Sequence, residues 1–111
     1  MKLADWFKVE LSDEGMLLDV RPPGKSAWKQ SFPWSSVQRV CFRSEDFTVS
    51  DELYIFTSLR PESFLIPTEA AGGDKLMDEL IRRGLFPAEV AIQAARAPEG
   101  EILCWPPLPK Q

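Results

Sequence analysis

Three short apolar runs between Phe32 and Pro67 constrain the fold of this chain more than any other stretch. They hold most of the β-branched and aromatic side chains that can form one buried sheet face, and they cover residues 32–43, 53–57 and 64–67. In the first run Val40 and Phe42 alternate with Arg39 and Arg43. This alternation is typical of a strand that buries one face only.

The flanking segments predict further strands and a helical C-terminal part. Residues 8–21 are expected to form a hairpin, residues 27–32 a third strand and residues 101–105 a short return strand. Apolar residues recur at helical spacing after residue 73. The sequence therefore predicts an α+β fold, with a curled antiparallel sheet of about six strands (residues 8–67) packed by a C-terminal helix or helix pair (73–97).

The length of 111 residues predicts a single domain over 1–111, since two cores of ordinary size would need a longer chain. The ordered core is expected to span residues 6–105. The proline-rich residues 106–111 are expected to be a frayed tail, an interpretation favoured over a ligand for a proline-recognising domain.

Charge and hydropathy argue against two classes of partner. Thirteen basic and 17 acidic residues give a formal net charge of -4, and the two signs are interspersed. Nucleic-acid binding is not expected, because it needs clustered Lys and Arg. Membrane insertion is not expected either, because no apolar run approaches the ~20 residues of a membrane span. Charged residues follow Met1 too soon for a signal peptide, so the predicted compartment is the cytoplasm.

The chain contains no histidine, which removes the commonest general base and the His-containing nucleophile pairs and zinc sites. The two cysteines, Cys41 and Cys104, do not have metal-ligand spacing. In an intracellular protein they are expected to be two reduced thiols. The sequence thus predicts no catalytic residue, no metal and no cofactor.

The chain resembles a group of small uncharacterised bacterial proteins over roughly residues 8–105. The resemblance is carried by Trp34-Ser-Ser-Val37 leading into a strand, Asp46-Phe47-Thr48 in the next loop, Leu53-Tyr54-Ile55, a glycine-led helix and a last aromatic at Trp105. The strands before a helix also resemble the pleckstrin-homology-like fold. The resemblance implies a fold and no assigned activity.

Five residues are candidates for binding. Trp28, Trp34 and Trp105 are candidate interface residues, because aromatic side chains anchor protein interfaces, although packing at the sheet edges is an equal alternative. Arg21, Lys25 and Lys29 surround the Pro22-Pro23-Gly24 turn, and Lys25 and Lys29 are a candidate anion contact.

The leading hypothesis is a non-enzymatic domain that binds another protein or itself. One alternative is an immunity- or antitoxin-like inhibitor whose acidic surface covers a basic site of a bacterial toxin. A second alternative is a binder of small molecules or lipid head groups in the cup of the curled sheet.

Overall fold

Two antiparallel sheets and two helices form the structure, a computed structural model that describes residues 2–45 and 50–108. The first sheet consists of β1 (Phe7–Leu11), β2 (Gly15–Val20) and β3 (Trp28–Pro33), in that order. The second sheet is built from β4 (Val37–Arg43), β5 (Glu52–Thr57), β6 (Arg60–Pro67) and β7 (Ile102–Trp105), in the order β6-β5-β4-β7. The helices are α1 (Gly73–Arg82) and α2 (Ala88–Arg96). The predicted α+β class is confirmed.

The strands lie where the alternation of apolar and polar residues in the sequence predicted them. β1 and β2 pair as the predicted hairpin, from Phe7 opposite Val20 to Leu11 opposite Met16. β5 and β6 form the second predicted hairpin. The return strand is β7, which pairs antiparallel with β4. The loop residues Asp46-Phe47-Thr48 lie outside the described residues, as does the end of the predicted tail.

The expectation of one curled sheet of about six strands is not confirmed, because the strands divide between β3 and β4. Pro33 ends β3, and the 3-10 turn Trp34–Ser36 redirects the chain into the second sheet. Proline cannot donate to a strand ladder, which favours a strand end at this position. β7 then occupies the edge of β4 that a continuous sheet would give to β3.

The core lies between the two sheets and under the helices. Its largest fully buried side chains come from every layer of the structure: Leu18, Val40, Leu53, Ile55, Ile66, Leu76, Leu80 and Phe86. Leu76 and Leu80 are one helical turn apart on α1, so a single face of that helix packs inward.

A backbone segment covers the outer edge of β1. The amide of Val9 donates to the carbonyl of Ala71 at 2.7 Å, and the amide of Ala71 donates to the carbonyl of Phe7 at 2.9 Å. The opposite edge of this sheet is formed by β3, and no further strand of the described residues pairs with it. Within residues 2–45 and 50–108, β3 pairs only with β2, and β6 pairs only with β5.

The prediction of two reduced thiols is wrong, because Cys41 and Cys104 form a disulfide in the structure. The cysteines are 63 residues apart in sequence, and that separation gave no reason to expect contact. The antiparallel register of β4 and β7 places them directly opposite each other, with a Cα–Cα distance of 4.0 Å. The thiol prediction followed from the predicted cytoplasmic compartment, which itself stays a prediction.

Candidate functional site

An open groove runs between the two sheets where β3 and β6 approach each other. This inter-sheet groove has a volume of about 730 Å³. Its lining comes from both sheets, from the residue before β1 and from the β2–β3 connection: Trp6, Phe7, Leu18, Val20, Pro22, Lys25, Trp28, Gln30, Arg60, Ser63, Phe64, Leu65 and Pro67. Most of these side chains are apolar or aromatic, as is usual for binding sites.

Two side-chain contacts join β3 and β6 beside the groove. The rings of Phe32 and Phe64 stack with their centroids 4.5 Å apart and their planes 25° from parallel. Beside them, Nη1 of Arg60 donates to Oε1 of Gln30 at 3.1 Å. Gln30, Arg60 and Phe64 thus line the groove at the point where the two sheets meet.

An irregularity in β6 holds Arg60 in this position. Ile55 lies opposite Phe64, but Thr57 lies opposite Arg60, so a step of two residues in β5 matches a step of four in β6. Arg60 supplies hydrogen bonds in this bulged stretch: Nε donates to the carbonyl of Glu62 at 3.1 Å and Nη2 donates to that of Ser63 at 3.0 Å. Its guanidinium carbon also lies 3.7 Å from the centroid of the Phe64 ring, in cation–π geometry.

A tight turn places Lys25 at the groove. The amide of Lys25 donates to the carbonyl of Pro22 at 3.2 Å, and Gly24 has a φ of 71°. Proline at the second position and a glycine of positive φ at the third favour a type II turn. Pro23 has a restricted φ and Gly24 tolerates a positive φ, so both residues favour this turn next to Lys25.

Trp28 stands at the rim of the groove, at the start of β3. Its ring meets that of Phe7 edge-on, with centroids 6.3 Å apart and planes at 82°. The side chain nevertheless remains 40% exposed. A large, half-exposed aromatic on a rigid strand is the kind of residue that anchors a protein interface.

The groove is positively charged, although the protein is acidic overall. Its lining includes Lys25 and Arg60 and no carboxylate. A second cavity of about 490 Å³, beside the β1–β2 turn, has the opposite character, with Glu10 and Glu14 in its lining and no cation. Anionic ligands are therefore favoured in the inter-sheet groove and disfavoured in the second cavity.

The structure brings together two of the five predicted site residues. Trp28 and Lys25 both line the groove. Lys29 does not, because neighbouring residues of a strand face opposite sides. Its Nζ lies 4.0 Å from the Asp19 carboxylate, on the outer face of the first sheet.

The other two candidate tryptophans lie outside the groove. Trp34 is only 7% exposed: its indole nitrogen donates to the carbonyl of Ser12 at 2.7 Å, and the Arg83 guanidinium lies 4.7 Å from its ring centroid. It connects the β1–β2 turn with the end of α1. Trp105 is 40% exposed on β7, opposite Val40. The interface predicted for these residues remains a prediction, and only Trp28 and Trp105 expose a large part of their side chains.

Arg60 and Gln30 are the groove residues that sequence reasoning missed. Arg60 lies in the connection between two predicted strands, and Gln30 lies in the strand predicted at residues 27–32. Their contact joins two different sheets, so no local spacing in the sequence could pair them.

A polar cluster lies on the outer face of the second sheet, away from the groove. The Tyr54 hydroxyl donates to Oε1 of Glu52 at 2.9 Å. Nε of Arg43 is 2.9 Å from a Glu45 carboxylate oxygen, a distance that fits an ion pair, although no contact of this nitrogen has the geometry of a hydrogen bond. Burial raises the pKa of Tyr54 above its usual value, and the bond to Glu52 raises it further against an opposing effect of Arg43.

This pKa shift predicts a delayed tyrosine titration. Tyr54 is the only tyrosine, so phenolate absorbance reports it alone. We expect its midpoint above that of a free tyrosine, about 10. The pKa of Tyr54 is higher in the folded protein than in the unfolded chain. The neutral tyrosine therefore stabilises the fold below pH ~10, and this stabilisation is lost as the pH rises through the folded-state pKa. Glu52→Gln should lower the midpoint, whereas a midpoint unchanged by this substitution and equal to that of the unfolded chain would contradict the expectation.

No family model, curated protein or solved structure matches this chain. The resemblance to small bacterial proteins therefore remains a prediction. In the described part of the chain, no group of three or more His, Cys, Asp or Glu side chains could hold a metal ion. Over the same residues, no helix is both long enough and apolar enough to cross a membrane.

Proposed function

We propose that this protein is a non-enzymatic binding domain that holds an extended segment of another protein in the inter-sheet groove. The observation that carries the proposal is the position of Trp28. It stands half-exposed at the mouth of an apolar groove, on a strand whose outer edge is unpaired among the described residues. A pleckstrin-homology-like arrangement is part of the same proposal, supported by antiparallel sheets that precede a helix.

Strand addition to β3 is the binding mode that this geometry favours. An extended peptide can pair its backbone with an exposed sheet edge and place alternate side chains into pockets beside it. Trp28 and Gln30 of β3 line the groove, so the inward side chains of a peptide added to β3 would enter it. The buried side chains of Leu18, Val20 and Phe64 would form its floor.

The β6 edge is less suitable for such pairing. Arg60 donates to the carbonyls of Glu62 and Ser63, and Pro61 has no amide hydrogen. Charged side chains, bulges and prolines of this kind protect natural edge strands from pairing. We therefore assign the peptide to β3.

The composition of the groove supports a binding role without catalysis. Its lining contains one hydroxyl, that of Ser63, and no carboxylate that could activate it as a nucleophile. The sequence contains no histidine that could serve instead. An acidic inhibitor of a basic toxin site is a weaker proposal, because this groove carries the opposite charge.

Selection of a displayed random-peptide library on the purified protein would test the proposal. We expect selected peptides to protect the amides of β3 from hydrogen exchange. Trp28→Ser should weaken binding about tenfold or more, because truncating an aromatic hot spot costs ~2 kcal/mol or more and each ~1.4 kcal/mol is a tenfold change in affinity.

Trp105→Ser provides a matched control, because Trp105 is equally exposed, at 40%, and lies on β7 outside the groove. It should leave peptide affinity unchanged. If no selected peptide protects β3, or if both variants lose affinity equally, the groove is not the binding site.

A further inference from the structure

We infer that the partner segment is acidic as well as apolar, and that one of its carboxylates binds between Lys25 and Arg60. This inference rests on the proposed function and names the chemistry of the partner. It follows from the way in which the two cations of the groove are satisfied in the unbound protein.

Arg60 is held entirely by neutral groups. Its nitrogens donate to the carbonyls of Glu62 and Ser63 and to the side-chain amide oxygen of Gln30, while the ring of Phe64 lies beneath its guanidinium. No carboxylate of the described residues lies within 4.0 Å of it. The guanidinium of Arg60 is therefore held in position by neutral groups, and its positive charge has no counter-charge nearby.

Lys25 is also without a carboxylate within 4.0 Å in residues 2–45 and 50–108. Five cations in this part of the chain have such a neighbour: Arg21 and Lys29 share Asp19, Arg43 lies beside Glu45, and Arg82 and Arg83 share Glu79. Lys75 and Arg96, which lie outside the groove, form no ion pair within the described residues either. The two groove cations thus lack a counter-charge in a chain with more acidic than basic residues.

An acidic side chain of a partner would supply that counter-charge. A charge-assisted hydrogen bond to a cation is about twice as strong as a neutral one, and the backbones of both residues are already ordered. The net charge of -4 repels an acidic peptide from the rest of the surface. Charge therefore directs such a peptide to this groove, while the apolar floor and Trp28 contribute most of the affinity.

The test uses peptides selected as above, without any bias in composition. We expect enrichment of Asp or Glu next to apolar residues. Replacing the acidic residue of a selected peptide by its amide should weaken binding about fivefold, the size expected for one partly exposed ion pair. Raising the salt concentration should weaken the acidic peptide more than its amide counterpart.

Lys25→Gln should reduce the difference between the acidic peptide and its amide counterpart, because only Arg60 then remains to bind the carboxylate. Lys75→Gln is the matched control, since it removes the same charge from an exposed site on α1 outside the groove. It should leave that difference intact. Because Lys25 is exposed in a turn, this variant should fold normally.

The outcomes separate the inference from the proposed function. If neutral peptides are selected that protect β3 and depend on Trp28, the acidic partner is wrong and the binding domain stands. If no peptide binds, both fail. If dodecanoate binds in a Lys25-dependent manner while no peptide does, the groove takes a small anionic amphiphile, and the inference of a protein partner is overturned.

Discussion

Reduction of the Cys41–Cys104 disulfide should lower the free energy of unfolding by about 4 kcal/mol. The two cysteines are 63 residues apart in sequence, so the cross-link closes more than half of the chain into one loop. In the chain-entropy account, a loop of this length removes a large part of the conformational freedom of the unfolded state, and reduction restores it. Such a loss is a large fraction of the 5–15 kcal/mol that is typical of a folded domain.

Urea unfolding of the air-oxidised protein, with and without a phosphine reductant, measures this effect. The Cys41→Ala, Cys104→Ala double variant is the control. It should unfold near the reduced protein, and its unfolding midpoint should not respond to the reductant. A thiol titration under denaturing conditions establishes the starting state, which should contain no free thiol.

Reduction should have its strongest local effect on β7. This strand has only four residues, its sole strand partner in the described structure is β4, and Ile102 and Trp105 remain half-exposed. Amide exchange in β7 should therefore accelerate more than exchange in β2 or β5. Two free thiols in the oxidised preparation, or an unfolding midpoint that ignores the reductant, would show that the pairing does not stabilise the protein.

Alternation of apolar and polar residues predicted the strands because it is a local property. Val40 and Phe42 point inward as expected, and Leu76 and Leu80 identify the inward face of α1. The division into two sheets depends on which distant strand reaches the edge of β4. Pro33 marks the end of β3 in the sequence, but nothing near it shows that β7 will take the place next to β4. The disulfide was missed for the same reason.

The candidate site was predictable only where its residues are close in sequence. Lys25 ends a turn that Trp28 follows after two residues, and the structure places both side chains in the groove. Lys29 was grouped with Lys25 by proximity, yet strand alternation turns it to the other face, beside Asp19. Arg60 reaches the groove from the second sheet, through a bulge that follows from no recognisable spacing in its own segment.

Gly72→Ala should destabilise the protein by about 2–4 kcal/mol. Gly72 has a φ of 82°, where an L side chain costs roughly 1–2 kcal/mol. An added Cβ would also lie 2.3 Å from the carbonyl oxygen of Val9, so the backbone segment of residues 70–72 would have to move away from β1. That movement would break the two hydrogen bonds that join Ala71 to Phe7 and Val9, each worth about 1 kcal/mol.

Gly84→Ala separates the cost of a positive φ from the cost of the close contact with β1. Gly84 has a similar φ of 72°, but an added Cβ there meets no atom within 4 Å. The free energy of unfolding of this variant should fall only by what a side chain at positive φ costs, roughly 1–2 kcal/mol. Urea unfolding of both variants measures the difference, and amide exchange at Val9 and Ala71 should accelerate in Gly72→Ala alone. Equal losses in the two variants would mean that close contact between residue 72 and β1 contributes nothing, and that the β1 edge does not depend on this segment for its stability.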